Sequence, residues 1–390
     1  MHTRVSVTSP PSVDGECAAR FASVRATFAA NFDMGLEVGA SFAATIDGEV
    51  VVDLWGGYAD AARTGPWTRD TMVNVFSTTK AMTALCAHTL VDRRLLDLDA
   101  PVARYWPEFA QSGKGVLPVH YLLSHRAGLA AIRQPLPTEA FYDWDRMVRA
   151  LAAERRWWEP GRTSGYHAMT FGYLVGELIR RVSGKTPGAF FRDEIAVPLG
   201  CDFHVGLPAA EEHRVAEIVP PAPEETAAAG PSAVVDPESL LGKVMSNPPL
   251  TPALANQRVW RAAEIPAANG HGNARSVARV MAALARGGAL DGVRLLREAT
   301  LARAIEVQFD GTDIVLGLPM RWGLGFMLAS EHLPLGPSRR AFGHGGWGGS
   351  LGVADPDARV SWAYVMNKMS PGTTGDSRAA RLVAALYDAL

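Results

Sequence analysis

Ser77-Thr78-Thr79-Lys80 opens a stretch, Ser77 to Val91, in which Met82, Leu85, Cys86 and Leu90 recur at helical spacing. On a helix, residues three apart share a face, so the Lys80 amine reaches the Ser77 hydroxyl. At a helix N-terminus the serine also lies among free backbone N–H groups. A lysine deprotonated by burial, cationic neighbours or the helix dipole makes this pair a self-contained nucleophile and base. Alone, the four residues read first as a serine N-cap followed by a surface lysine. The rest of the chain decides between these readings.

Outward from this point the periodicity predicts a helix over Glu16–Asn31, then two short strands, Ser41–Ile46 and Val50–Trp55, joined at Asp47-Gly48, a strong hairpin signal. Further helices are expected at Val119–Leu123, Phe141–Ala153, Thr170–Val182 (stopped by Ser183-Gly184) and Asn273–Arg286. Prolines break every pattern from Gly206 to Pro266, which reads as an irregular covering loop. After Arg321 the chain reads as strands: Gly323–Leu328, Ala341–Phe342, Ser350–Ala354 and Val360–Met366, the last two turning at Pro356-Asp357. Arg378–Leu390 closes as a helix. Strands at both ends with helices between them imply a discontinuous α/β lobe, 1–75 plus 267–390. A mostly helical lobe, 76–266, is inserted in it, with 206–266 as its cover.

Hydrophobic residues make up 48% of the 390 and charged residues 20%, the balance of a chain that buries a large core. The formal charge of −2 offers no global field for nucleic acid or anionic lipid. No uncharged apolar run is long enough to span a membrane, and Met1–Pro11 is polar, without the apolar stretch of a secretory signal. Cys17, Cys86 and Cys201 are far apart and read as buried thiols in a reducing compartment, so a cytoplasmic location is expected. No metal-binding motif or phosphate loop appears, and no cofactor or metal is expected. His125, His167 and His271 are second in line to the reacting groups at most.

Two other stretches can carry chemistry. Tyr166 sits in Ser164-Gly165-Tyr166-His167-Ala168, a loop just before the Thr170 helix, and serves as general acid/base if cationic neighbours depress its pKa. Its bland reading is a buried loop aromatic. Gly343-His344-Gly345-Gly346-Trp347-Gly348-Gly349 allows close approach of substrate to backbone, with strand-edge N–H groups for an oxyanion and His344 as a further donor. Its bland reading is a glycine-rich turn. Gly348-Gly349-Ser350-Leu351-Gly352 matches a nucleophile elbow, but Ser350 opens a strand rather than a helix and no histidine follows it, so that reading fails.

In their chain order, Ser77-Thr78-Thr79-Lys80, Tyr166-His167-Ala168 and His344-Gly345-Gly346 resemble the motifs of the penicillin-recognising serine hydrolases. These are the class C β-lactamases, the DD-peptidases and the β-lactamase-like family VIII carboxylesterases. Leu95–Val102, Leu122–Leu129, Glu159-Pro160-Gly161 and Gly176-Glu177 are similar too, so the resemblance spans roughly residues 30 to 390. It implies an α/β (α+β) β-lactamase/transpeptidase-like fold, an antiparallel sheet flanked by helices with an inserted helical lobe. It implies Ser77, Lys80 and Tyr166 as catalytic residues. His344, Gly345, Gly346 and Trp347 would contact substrate, and the Ser77 and Trp347 N–H groups would hold the oxyanion. The family's Tyr-x-Asn is here Tyr-x-Ala at Ala168, and His344 replaces the lysine of β-lactamases. Both departures favour a small-molecule ester over a β-lactam. The resemblance therefore implies a serine carboxylesterase working through an acyl-enzyme on Ser77. An acyltransferase, a β-lactamase or D-amino-peptide hydrolase, and a binding-only relic are the alternatives. Trp157, Trp158 and the 206–266 segment would shape the pocket, although core packing is the safer reading of the two tryptophans.

Overall fold

The Asp47-Gly48 hairpin forms as read, with positive φ at both turn residues, 50° and 88°, the pairing that a tight two-residue turn between twisted strands requires. The computed structural model describes residues 12–228, 236–372 and 376–390. The reading of Met1–Pro11 and part of the proline-rich segment therefore lie outside the described residues.

In chain order the elements that build the framework begin with β1 (Val13–Cys17), α1 (Ala22–Asp33), β2 (Gly39–Ile46), β3 (Glu49–Gly57), β4 (Val73–Asn74) and α2 (Thr79–Asp92). Helices Val119–Leu123, Trp144–Ala153 and Thr170–Ser183 follow, then β5 (Phe203–Val205), β6 (Gly270–Gly272) and the helix Ala274–Ala285. β7 (Ala289–Leu290) and β8 (Val293–Arg294) form a small hairpin. The last part contains β9 (Phe309–Thr312), β10 (Pro319–Trp322), β11 (Met327–Leu328), β12 (Phe342–Gly345), β13 (Leu351–Asp355), β14 (Val360–Met366) and the helix Ser377–Asp388. The main sheet is antiparallel, ordered β1-β3-β2-β14-β13-β12-β11-β10-β9. The N-terminal and C-terminal parts of the chain meet inside it, where β14 pairs β2 with Tyr364 opposite Phe42. β4, β6 and β5 make a second, three-stranded sheet.

Helices cover both faces of the main sheet, which is why β14 is buried at every residue and β2 at all but one, instead of alternating. On one face α1 and the C-terminal helix bury Phe28, Phe42, Trp362 and Leu382. On the other, Ala43 and Val365 meet Val277 and Met281 of the Ala274–Ala285 helix, and this core continues without a break into the helical region through Leu85, Leu122 and Phe171. α2 runs through that region buried on all sides from Thr79 to Leu90, and its polar side chains Lys80, Thr83, His88 and Thr89 each bond to main-chain carbonyls.

Several boundaries differ from the reading. The first helix begins at Ala22, because Glu16 and Cys17 belong to edge strand β1, paired with Asp53 and Val52. β9 and β10 alternate in burial, but with only four residues each, glycine inside β9 and Pro319 at the start of β10, they are too short to register as strands in the sequence. The Gly206–Pro266 segment carries short helices at Pro223–Ala228, Leu240–Ser246 and Arg258–Ala262, the second capped by Ser239. Of the cysteines only Cys86 is buried. The stop at Gly184 is as read, with φ 71°.

Candidate active site

Ser77 lies in the turn that feeds α2, after Phe76, a non-glycine residue at φ 42°. The turn is fixed by Thr79 N–H to Phe76 O (3.0 Å), Lys80 N–H to Ser77 O (2.9 Å), and Val75 N–H to Gly270 O (2.9 Å) in β6. The strained Phe76 presents the half-buried Ser77 side chain while its neighbours are buried.

Lys80 is fully buried. Its Nζ contacts three oxygens: Ser77 Oγ at 2.9 Å, Ala168 O at 2.7 Å and Ala267 O at 3.0 Å. Burial drives its pKa well below the ordinary lysine value. A neutral amine has two hydrogens and one lone pair. The two carbonyls accept the hydrogens, and the lone pair is left for the Ser77 hydroxyl. That is the arrangement of a base facing its nucleophile.

Tyr166 is buried beside this pair, with its ring centroid 4.8 Å from Lys80 Nζ. Trp322 of β10 stacks on it at 5.7 Å and 7°, and His125 packs at 4.9 Å. The main chain around it is held from two sides. His125 accepts from Gly165 N–H through its carbonyl (3.0 Å) and from His167 N–H through Nδ1 (3.2 Å). Asp313 accepts from Tyr166 N–H (2.9 Å) and the Ser164 hydroxyl (2.7 Å). Burial and the Asp313 charge raise the Tyr166 pKa, only partly offset by the neighbouring Ser77 hydroxyl. The expected cationic depression of the Tyr166 pKa is absent: burial moves it upward instead, which favours the phenol over the phenolate.

The glycine turn closes the site. A Cβ on Gly346 would lie 2.2 Å from Val75 O and 3.2 Å from Ser77 N, so the turn comes this close to Ser77 only with glycine there. The Trp347 ring packs on Phe76 at 5.6 Å. Among the described residues neither Ser77 N–H nor Trp347 N–H donates to protein. β12 is an interior strand, not an edge; β11 pairs its main chain only at Phe342 and Gly343, and the Gly345 N–H donates to Met327 Sδ of β11 (3.2 Å). His344 is buried, and burial holds it neutral, with a pKa of about 3. Its Nδ1 lies 2.7 Å from Gly345 O and so carries the hydrogen, which makes Nε2 an acceptor. The expected donor role of His344 is therefore reversed.

Other candidates resolve as packing. Ser350 Oγ is buried, donates to Val75 O (2.7 Å) and meets the Thr78 hydroxyl (3.0 Å), pinning the Ser77 turn to the residue ahead of β13. Trp157 Nε1 donates to Ala131 O (2.8 Å) under the Arg133 guanidinium, and Trp158 packs on His167 at 5.8 Å. His271 is buried and neutral in β6. From the proline-rich segment, Val244 joins the cluster around Tyr166. The sequence reading missed Asp313 and Trp322, which follow no motif. Their only signal was an aspartate in a Gly311-Thr312-Asp313 turn and an aromatic two residues past Met320.

The beta-lactamase family model matches residues 25–387. Esterase/beta-lactamase LipL of Mycobacterium tuberculosis is 38% identical over 369 residues, covering 92% of this chain and 83% of the relative. A crystal structure of a family VIII carboxylesterase superposes with a TM-score of 0.91 at 46% identity, covering 97% of this chain and all of that one. A penicillin-binding protein homologue from Caulobacter crescentus superposes at 0.89 with 43% identity over 97% of this chain and all of that one.

Proposed function

From the premise that the chain belongs to the beta-lactamase family, whose fold it has, we propose that it is a serine carboxylesterase acting on small carboxylic esters through an acyl-enzyme on Ser77. The observation that carries this reading is the buried Lys80 amine, with two carbonyls for its hydrogens and Ser77 Oγ at 2.9 Å for its lone pair. In the mechanism, Lys80 takes the Ser77 proton as Oγ bonds to the ester carbonyl carbon. The oxyanion forms against the Ser77 and Trp347 N–H groups. The tetrahedral intermediate collapses as Tyr166 O–H gives its proton to the departing alkoxide, and the Lys80 ammonium restores that proton to Tyr166. Water then attacks the acyl-enzyme, losing its proton to Lys80. Ser77 leaves with a proton and the acid is released. No cofactor enters these steps.

The choice of ester over β-lactam rests on Ala168, which supplies no amide for a β-lactam side chain, and on a neutral His344 where a fixed cation would hold a carboxylate. The name of the mycobacterial relative pairs both activities, so turnover of a chromogenic cephalosporin is the second assay. Hydrolysis of p-nitrophenyl butyrate that vanishes in Ser77→Ala supports the proposal. Hydrolysis that survives in Ser77→Ala removes Ser77 from it. Cephalosporin turnover without ester turnover moves the substrate class, and product transfer to added alcohol in preference to water makes the enzyme an acyltransferase.

A further inference from the structure

The proposed mechanism, on which this inference rests, needs the Tyr166 hydroxyl at Ser77, yet Tyr166 lies in the loop ahead of the Thr170–Ser183 helix. The hairpin β9–β10 supplies what the helix does not. Asp313, in the turn between its strands, is fully buried. Its Oδ1 accepts from the N–H groups of Tyr166 (2.9 Å), Val315 (3.0 Å) and Leu316 (3.0 Å), and its Oδ2 accepts from Ser164 Oγ (2.7 Å). Ile314 N–H adds a bond to Ser164 O (2.9 Å). Three bonds thus join this turn to the tyrosine loop, while Trp322 on β10 stacks on the tyrosine ring. Among the described residues no Lys, Arg or His forms an ion pair with Asp313: its four contacts are N–H and O–H donors only. Burying a carboxylate without a counter-ion is costly, and here that cost is set against order at one loop. The other titratable groups facing Tyr166 are Ser77 and Lys80, from the turn and helix α2, His125 and, on β12, His344.

The geometry points to Asp313 as the positioning residue of Tyr166: a buried carboxylate on the sheet's outermost hairpin that sets the tyrosine hydroxyl over Ser77 without touching substrate. Asp313→Ala removes all four acceptor contacts. Asp313→Asn keeps an acceptor for the three N–H groups and exchanges the charge for an amide that meets Ser164. Rates are read in two ways, by p-nitrophenyl butyrate turnover and by labelling of Ser77 with a fluorophosphonate, with folding checked by circular dichroism. The labelling rate tests Asp313 even if the ester is not a substrate. Loss of a well-placed general acid/base costs about 10²-fold or more, so Asp313→Ala lowers kcat and the labelling rate by about tenfold to a hundredfold, with KM nearly unchanged. Asp313→Asn recovers part of that loss, remaining a few-fold below wild type. In the Tyr166→Phe background the same substitutions change the rate by less than about twofold, because residues acting as one unit are not additive. Equal losses in both backgrounds, or a loss confined to KM, overturn the proposal. Where Asp313→Ala does not fold, the cycle is run with Asp313→Asn, and no loss there, or an equal loss in both backgrounds, overturns it.

Discussion

Two lysines are buried completely, Lys80 and Lys114, and their surroundings are close to parallel. Each Nζ contacts three oxygens, and each lies near an aromatic ring: Tyr166 at 4.8 Å for Lys80, Phe109 at 5.1 Å for Lys114. Each reaches back three residues. There they part. Lys80 meets the side-chain hydroxyl of Ser77, whereas Lys114 meets the main-chain carbonyl of Gln111 (2.8 Å), with Ala152 O (2.9 Å) and Glu154 O (2.6 Å) completing the set. Three carbonyls need three N–H donors, which only the ammonium has. One hydroxyl and two carbonyls suit the neutral amine. The nearby charges agree with this. Burial lowers both pKa values, but Glu154 opposes it at Lys114, which comes to rest at about 8 and stays charged at neutral pH. Nothing opposes burial at Lys80. The same residue type, buried in both places, is held as a cation at Lys114 by three carbonyls and Glu154, whereas the hydroxyl of Ser77 and unopposed burial at Lys80 favour the neutral amine that the proposed base role needs.

The largest effect that would break this comparison concerns Lys80→Arg. A guanidinium keeps its proton, so it fills space without serving as a base, and hydrolysis of p-nitrophenyl butyrate falls by about 10³-fold or more, toward the upper range for a general base. Retained turnover would make Lys80 a cation like Lys114.

Next comes Lys114→Met. Three buried carbonyls lose their donor, and the fold loses about 3 kcal/mol at roughly 1 kcal/mol each, seen as a lower urea midpoint. Turnover per folded molecule stays at the wild-type level. A loss of kcat in protein that remains folded would show that the two sites are not separate in role.

The pH profile separates them again. A base acts only when unprotonated, so kcat/KM falls as pH drops through the Lys80 pKa, by about tenfold per unit well below it. Because that pKa lies below the ordinary lysine range, the plateau is reached before pH 10.5. The limb should be unmoved in Lys114→Met. An acid limb that moves with Lys114 would contradict the assignment.

The smallest effect is on stability at Lys80 itself. Lys80→Met leaves two carbonyls without a donor but removes an amine that burial disfavours, and these offset to within about 1 kcal/mol. A destabilisation as large as that of Lys114→Met, in matched urea titrations, would mean that Lys80 is held as an ammonium after all.

Local chemistry was legible where it is decided locally. The Asp47-Gly48 turn, the Gly184 helix stop and the β13–β14 hairpin at Pro356-Asp357 follow from backbone preferences of a few adjacent residues. So does the Ser77–Lys80 spacing, set by the helical turn. The glycine turn was found, but that Gly346 tolerates no Cβ depends on Val75 and Ser77, far away in the chain. Strands β9 and β10 were missed because they are only four residues long, and Asp313 was missed with them.

By itself the sequence determined which residues can be nucleophile and base, through an i, i+3 spacing, and the order of helices and strands, through periodicity and turn chemistry. Only the tertiary structure decided the protonation of those residues. The two carbonyls that take the Lys80 hydrogens come from positions 88 and 187 residues further along the chain. The Tyr166 pKa is raised by burial and by Asp313, 147 residues beyond it. A pKa responds to whatever surrounds the group in space, and no local pattern of residues records which distant carbonyl or carboxylate will arrive there.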